Sequence, residues 1–328
     1  MNKAIVMKSN LNSLTLPSTE IERPATGYAH AQYARALSEF GFPLELSASQ
    51  AWYLRRTIPA SPYSDAMGCY PLFSCRDWRS LRSDLDSLGD DVVSFSVVAD
   101  PFGDHDEAYL KECFRDLVVP FKSHFVSDLT LPREKFVSAH HRRNARQALG
   151  RMEVEVGERP EEYLSDWISL YARLIERHNL SGFHAFSRAS FARQLETPGV
   201  VALRAIIDDE VVGMLLWFTQ GDVAYYHLGA FSDKGYSTGA SFALFWTALD
   251  YFRSAGCMWV NLGAGAGSGQ NVGGEDGLAR FKRGWATGER TVYFCGRIYD
   301  PARYAELVEA RGASDTGYFP RYRAGEFR

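Results

Sequence analysis

Apolar positions along this chain switch between a spacing near two and a spacing near 3.6, and the switching lays out its elements. Thr26 precedes a helical pattern over residues 28–40, which Gly41 closes. Strand-like runs follow at 44–47 and 52–58, then a loop dense in Pro, Tyr, Ser and Gly from 59 to 71. A helix over 77–88, a strand at 92–99 ended by Asp100 and Pro101, a helix over 107–117 and a strand at 124–131 complete an alternating first half. Pro132 opens a basic helical segment that runs to residue 149. A short strand at 153–156 and helices over 160–178 and 188–195 lead into three strands, at 200–207, 211–219 and 223–230. The Asp208-Asp209 and Gln220-Gly221 turns between them read as hairpin connections. An almost wholly apolar helix over 238–255 stops at Gly256, and a strand at 258–262 runs into a glycine-rich loop. A short helix over 276–285 and a strand at 291–299 finish the core. Alternating strands and helices predict an α/β fold, and the hairpin meander predicts mixed rather than parallel sheets.

With 328 residues there is room for two domains, and 46% hydrophobic against 23% charged residues is the balance of a folded chain. A net charge of −4 implies no broad nucleic-acid-binding face, while leaving room for a local basic patch. The cysteines at 69, 75, 113, 257 and 295 form no C-x-x-C pair, so neither a zinc site nor a disulfide framework is expected, and no metal is predicted. The apolar run at residues 4–7 is too short for a signal peptide, and no run approaches the roughly 20 residues of a membrane span. A cytoplasmic location is the expectation. There is no nucleophile elbow, no H-E-x-x-H and no Walker loop, which leaves hydrolase, zinc protease and NTPase readings without support.

Several strings carry a family likeness. The HRRNARQA run from His141 with the strand after it, YYHLGA from Tyr225 with the apolar helix after it, and GLARFKRG from Gly277 stand in the order and spacing of FemAB-like transferases. The DLTLP run from Asp128 and the Tyr/Pro-rich loop at 61–71 add to it, so the resemblance covers roughly residues 50–300. The order of elements in residues 160–300 is also the layout of a GNAT domain. This resemblance implies two GNAT-like domains with mixed central sheets packed across a cleft. A flexible tail (1–20) would precede a degenerate acceptor-side domain (21–137), a catalytic domain (138–300) and a C-terminal helix and tail (301–328). The implied activity joins an acyl or aminoacyl group to an amine. Acyl-CoA and aminoacyl-tRNA are both open as donor co-substrates, and no permanently bound cofactor is expected.

The likeness assigns roles residue by residue. Lys282, in the Phe281-Lys282 pair, would face the reaction centre and stabilise the developing oxyanion. His227 on the strand could accept the amine's proton, though it reads more readily as a hydrogen-bonded core histidine. Backbone N–H groups near Leu228 and Gly229 could polarise the acyl carbonyl. GNAT enzymes hold coenzyme A pyrophosphate at the turn into the next helix. Here that turn reads KGYSTGA from Lys234, with Ser237 replacing the first glycine, so Lys234, Ser237, Thr238 and Gly239 are a degraded donor loop. Arg143 and Arg146 could hold phosphate or RNA, with Arg142 and Arg151 nearby; Tyr226, Tyr63 and Asp65 would contact substrate. Two rival readings stand beside this one. The WVNLGAGAG run from Trp259 imitates a methyltransferase cofactor loop, but too little chain follows it to build that sheet. A catalytically silent GNAT-fold binding protein is the other, and it turns on whether Lys282 and the Tyr226/His227 strand converge on one cleft.

Overall fold

Helix ends and tight turns along this chain are set by local polar chemistry. In the computed structural model, which describes residues 24–89, 92–157, 159–178, 186–265, 277–312 and 317–326, α1 (Ala31–Ala36) starts where the His30 ring accepts the Gln32 N–H. The expected tail (1–20) and most of the glycine-rich loop (266–276) lie outside the described residues. After β1 (Phe42–Leu46) and β2 (Ala51–Thr57), the Pro/Tyr-rich stretch forms β3 (Ser64–Gly68) instead of an uninterrupted loop. Helix α2 (Leu81–Ser87) and strand β4 (Ser94–Val98) precede α3 (Glu107–Cys113), whose first turn Asp106 caps at the Tyr109 N–H. Strand β5 (Leu117–Asp128) begins seven residues before the predicted position, 124, and holds Pro120 within it.

The basic segment is two helices, α4 (Arg133–Phe136) and α5 (Ala139–Leu149), divided where Ser138 turns to cap α5 at the His141 N–H. Then come β6 (Glu153–Gly157), α6 (Leu164–His178), α7 (Arg188–Leu195), β7 (Val200–Ile207), β8 (Glu210–Gln220) and β9 (Val223–Phe231). Asp208 and Asp209 both take positive φ, the conformation a two-residue hairpin turn requires. The predicted apolar helix is α9 (Ala240–Ser254); the turn expected ahead of it is itself a short helix, α8 (Asp233–Thr238), joined to α9 at Gly239, φ +77°. Strand β10 (Trp259–Gly263), α10 (Gly277–Arg283), β11 (Gly288–Ile298) and α11 (Pro301–Arg311) follow.

Among the described residues, eleven strands join one sheet in the order β1-β2-β3-β4-β11-β5-β10-β9-β8-β7-β6. Only β3/β4 and β9/β10 pair in parallel; every other neighbouring pair is antiparallel. Each half is therefore a meander ended by one parallel pair. The halves are continuous because each lends a strand to the other. β5, from the first half, lies against β10, while β11, made last, lies between β4 and β5. On the β7–β9 side, one face packs α5, α9 and α10 around Trp217, Phe245 and Trp285, and the other packs α1, α6 and α7 around Tyr33, Trp167 and Phe218.

Candidate active site

The parallel pair β9/β10 is short. Trp259, Val260 and Asn261 register with Val223, Ala224 and Tyr225, and there the pairing ends. Beyond Tyr225, the strand from Tyr226 to Phe231 has no β10 partner, so a notch opens between the two strands. A bulge shapes the notch further: Trp217 pairs with Tyr226 and Leu216 with Leu228, leaving His227 as the extra residue. Tyr226 and His227 consequently face opposite sides of the sheet. The Tyr226 ring packs on Trp217 and Phe245, and the His227 ring packs among Tyr28, Tyr33 and Phe218. Close packing favours glycine at 229, where an added Cβ would lie 2.6 Å from the Tyr226 hydroxyl oxygen.

Helix α10 delivers Lys282 to this notch. Its ammonium is buried, donates to the Ala264 carbonyl at 2.7 Å and lies 5.3 Å from the centre of the Tyr226 ring. It also comes within 3.2 Å of where a Cβ on Gly263 would stand. Two contacts fix the helix that carries it. The His141 ring donates from Nε2 to the Phe281 carbonyl at 2.9 Å, and the Gly284 carbonyl accepts the Ser138 N–H at 2.9 Å. Phe281 packs between Phe242 and Phe245 in the aromatic cluster beneath.

The other sequence-predicted residues scatter. His227 is buried and bonded at both nitrogens, to the Tyr28 hydroxyl at 3.2 Å and Gln194 Oε1 at 3.0 Å; burial pushes its pKa down to about 3. Leu228 and Gly229 lie on the unpartnered stretch of β9. The KGYSTGA turn is helical: Lys234 pairs with Asp208 at 3.2 Å, and the Ser237 and Thr238 hydroxyls both donate to the Lys234 carbonyl. Arg143 and Arg146 are exposed on α5 and form no ion pair among the described residues; α5 itself packs along α9. Tyr63 lies under the Arg303 guanidinium, with 4.8 Å to the ring centre. Asp65 is fully buried, held by Arg56 at 3.3 Å and Arg323 Nη2 at 2.9 Å, and ties the C-terminal segment to β3. The structure thus brings Lys282, Tyr226 and the Leu228–Gly229 stretch together, and it separates His227, Tyr63 and Asp65 from them.

Two polar residues at the notch escaped the sequence reading. Asn261, the last residue of β10 to pair with β9, accepts from the Gly263 N–H at 2.9 Å and from His124 Nδ1 at 3.1 Å. On the same face as Asn261, Tyr225 donates to the buried Asp100, which also takes bonds from Ser74 and the Phe102 N–H; burial pushes the Asp100 carboxyl up. Among the described residues no cluster of His, Cys, Asp and Glu could hold a metal, and no helix is long and apolar enough to cross a membrane.

Residues 137–283 match the family model described as Acetyltransferase (GNAT) domain. The chain resembles the FemAB-like GNAT transferases. The structure titled FemX superposes with a TM-score of 0.66 at 13% identity, covering 84% of this chain and 93% of that one. The C-terminal domain of a putative lysylphosphatidylglycerol synthetase from Agrobacterium fabrum gives 0.57 at 16% identity, covering 89% and 93%. L-PGS from Bacillus licheniformis gives 0.52 at 14%, covering 88% and 97%. A comparison with curated proteins finds no match. These structural likenesses establish a fold shared with FemX, and the GNAT match ends at residue 283, before β11 begins.

Proposed function

We propose that the protein is an N-acyltransferase that moves an acyl or aminoacyl group from acyl-CoA or aminoacyl-tRNA onto an amine, forming an amide. The observation that carries this reading is the buried Lys282 ammonium at the mouth of the β9/β10 notch, over Tyr226. A carbonyl lying along the open stretch of β9 would find a fixed cation where its oxygen gains charge, in a site partly closed to water. Such a group acts mainly on the transition state. Both donors carry phosphate, and the exposed Arg143 and Arg146 on α5, without an ion pair among the described residues, suit either.

Two assays separate the donors: calorimetric titration with coenzyme A, and amide formation from charged tRNA with and without RNase. Micromolar coenzyme A binding with RNase-insensitive turnover assigns acyl-CoA. RNase-sensitive turnover lost on replacing Arg143 and Arg146 assigns aminoacyl-tRNA. Donor binding without any amide product would instead leave a silent GNAT-fold binding protein.

A further inference from the structure

His124 on β5 and Asn261 on β10 come together only because the sheet sets those strands side by side. The imidazole donates from Nδ1 to Asn261 Oδ1, the same oxygen that takes the Gly263 N–H, and Gly263 is the residue the Lys282 ammonium closes upon. An unbroken chain of contacts therefore runs from His124 to the notch. With Nδ1 committed as donor, Nε2 holds the lone pair. That nitrogen makes no hydrogen bond among the described residues, and it is not one of the sealed polar atoms. Asn261 Nδ2, in contrast, is sealed and unpartnered.

The other groups at or near the notch cannot take a proton. Lys282 is a cation donating to Ala264, and burial raises the Tyr226 hydroxyl well above its ordinary value. His227 has both nitrogens engaged, by the Tyr28 hydroxyl and by Gln194 Oε1. The charged groups around His124 are Lys282 from α10, Lys122 on its own strand and Arg290 opposite it on β11. Burial, then the Lys282 charge, push the imidazole down to about 4, and no carboxylate opposes them. At neutral pH His124 is a neutral acceptor.

We propose that His124, oriented by Asn261, accepts the proton that the amine loses during acyl transfer, an assignment that rests on the acyl-transfer reading above. The amine nitrogen forms its bond to the carbonyl carbon as the donor's C–S or C–O bond breaks. Between ammonium and amide the nitrogen gives up two protons. The first goes to solvent before the attack, since an ammonium has no lone pair; the second, lost once the N–C bond has formed, passes to His124 Nε2 and on to the departing thiolate or alkoxide. A weak base suffices because the nitrogen, once bonded to the carbonyl carbon, is a far stronger acid than a free ammonium.

The test measures pH–rate profiles with acetyl-CoA and with charged tRNA as donors, each against a panel of primary amines. His124→Gln should lower kcat by about 10²–10⁴-fold with little change in KM. Asn261→Asp sets a carboxylate against Nδ1, and should move the acid limb of kcat/KM upward by a pH unit or more. In Lys282→Met, the NMR titration midpoint of the His124 ring should rise, a readout independent of turnover. An active parent whose His124→Gln variant keeps its rate within threefold, or an unmoved limb in Asn261→Asp, overturns the assignment alone. A parent that forms no amide from either donor overturns the acyl-transfer reading and this assignment with it.

Discussion

Lys282 is a cation kept largely from water, donating to the Ala264 carbonyl and lying over the Tyr226 ring, an arrangement that holds positive charge at the notch. Replacing it with methionine keeps the stem and removes the charge. Lys282→Met should therefore cut kcat by about 10²–10³-fold while leaving KM close to the parent's; steady-state kinetics check this, and turnover within a few-fold of the parent would make Lys282 a packing residue. His227 acts on stability instead. Its folded pKa, about 3, lies below the roughly 6.5 of an unfolded histidine, so as pH falls the unfolded chain takes the proton first. Its contribution is whole above pH 6.5 and is lost toward pH 3, at about 1.4 kcal/mol per pH unit. Urea unfolding at pH 7, 6 and 5 should show a shallower acid loss in His227→Gln than in the parent. A side chain's type was legible in the sequence; which face it takes was not. The bulge at His227 changes the alternation after Tyr226, and His124 and Asn261 look like ordinary strand residues until β5 and β10 meet.

At the scale of elements, α10 is as accurate as its clamp to α5. A Cβ on Gly284 would fall 2.2 Å from the His141 ring, which is itself bonded to Phe281, one residue before Lys282. Gly284→Ala should displace that ring, lower the melting temperature by several degrees and reduce turnover at saturating donor; unchanged melting and rate would mean the clamp has slack. The same scale explains which elements could be read in advance. α7 and β7 coincide with their predicted spans because caps and hairpin turns bound them. β3 was hidden because Asp65 and Ala66, adjacent in sequence, are both buried, which erases the alternation that marks a strand. The early part of β5 was hidden by Pro120 and a largely exposed run from Val119 to Ser123.

For the whole molecule, the exchange of β5 and β11 decides what can stand alone. A fragment of residues 138–328 keeps β6 to β11 but leaves β10 and β11 without β5 between them. We expect it to be insoluble or unfolded by circular dichroism, and co-expression of residues 1–137 to restore a folded complex. A soluble, cooperatively melting fragment would show that the second half closes its own sheet. The buried Asp65 bound by Arg56 and Arg323 adds a second tie, between β3 and the end of the chain. Those ties also set a timetable for synthesis. Strand β4 emerges with residue 98, yet the neighbour that covers its edge is complete only at residue 298. At about 5–20 residues per second, the ribosome takes on the order of 10–40 s to supply it. Through that interval the nascent first half carries an open strand edge, the feature most prone to pairing with a wrong chain, and chaperone binding there would compete directly with aggregation.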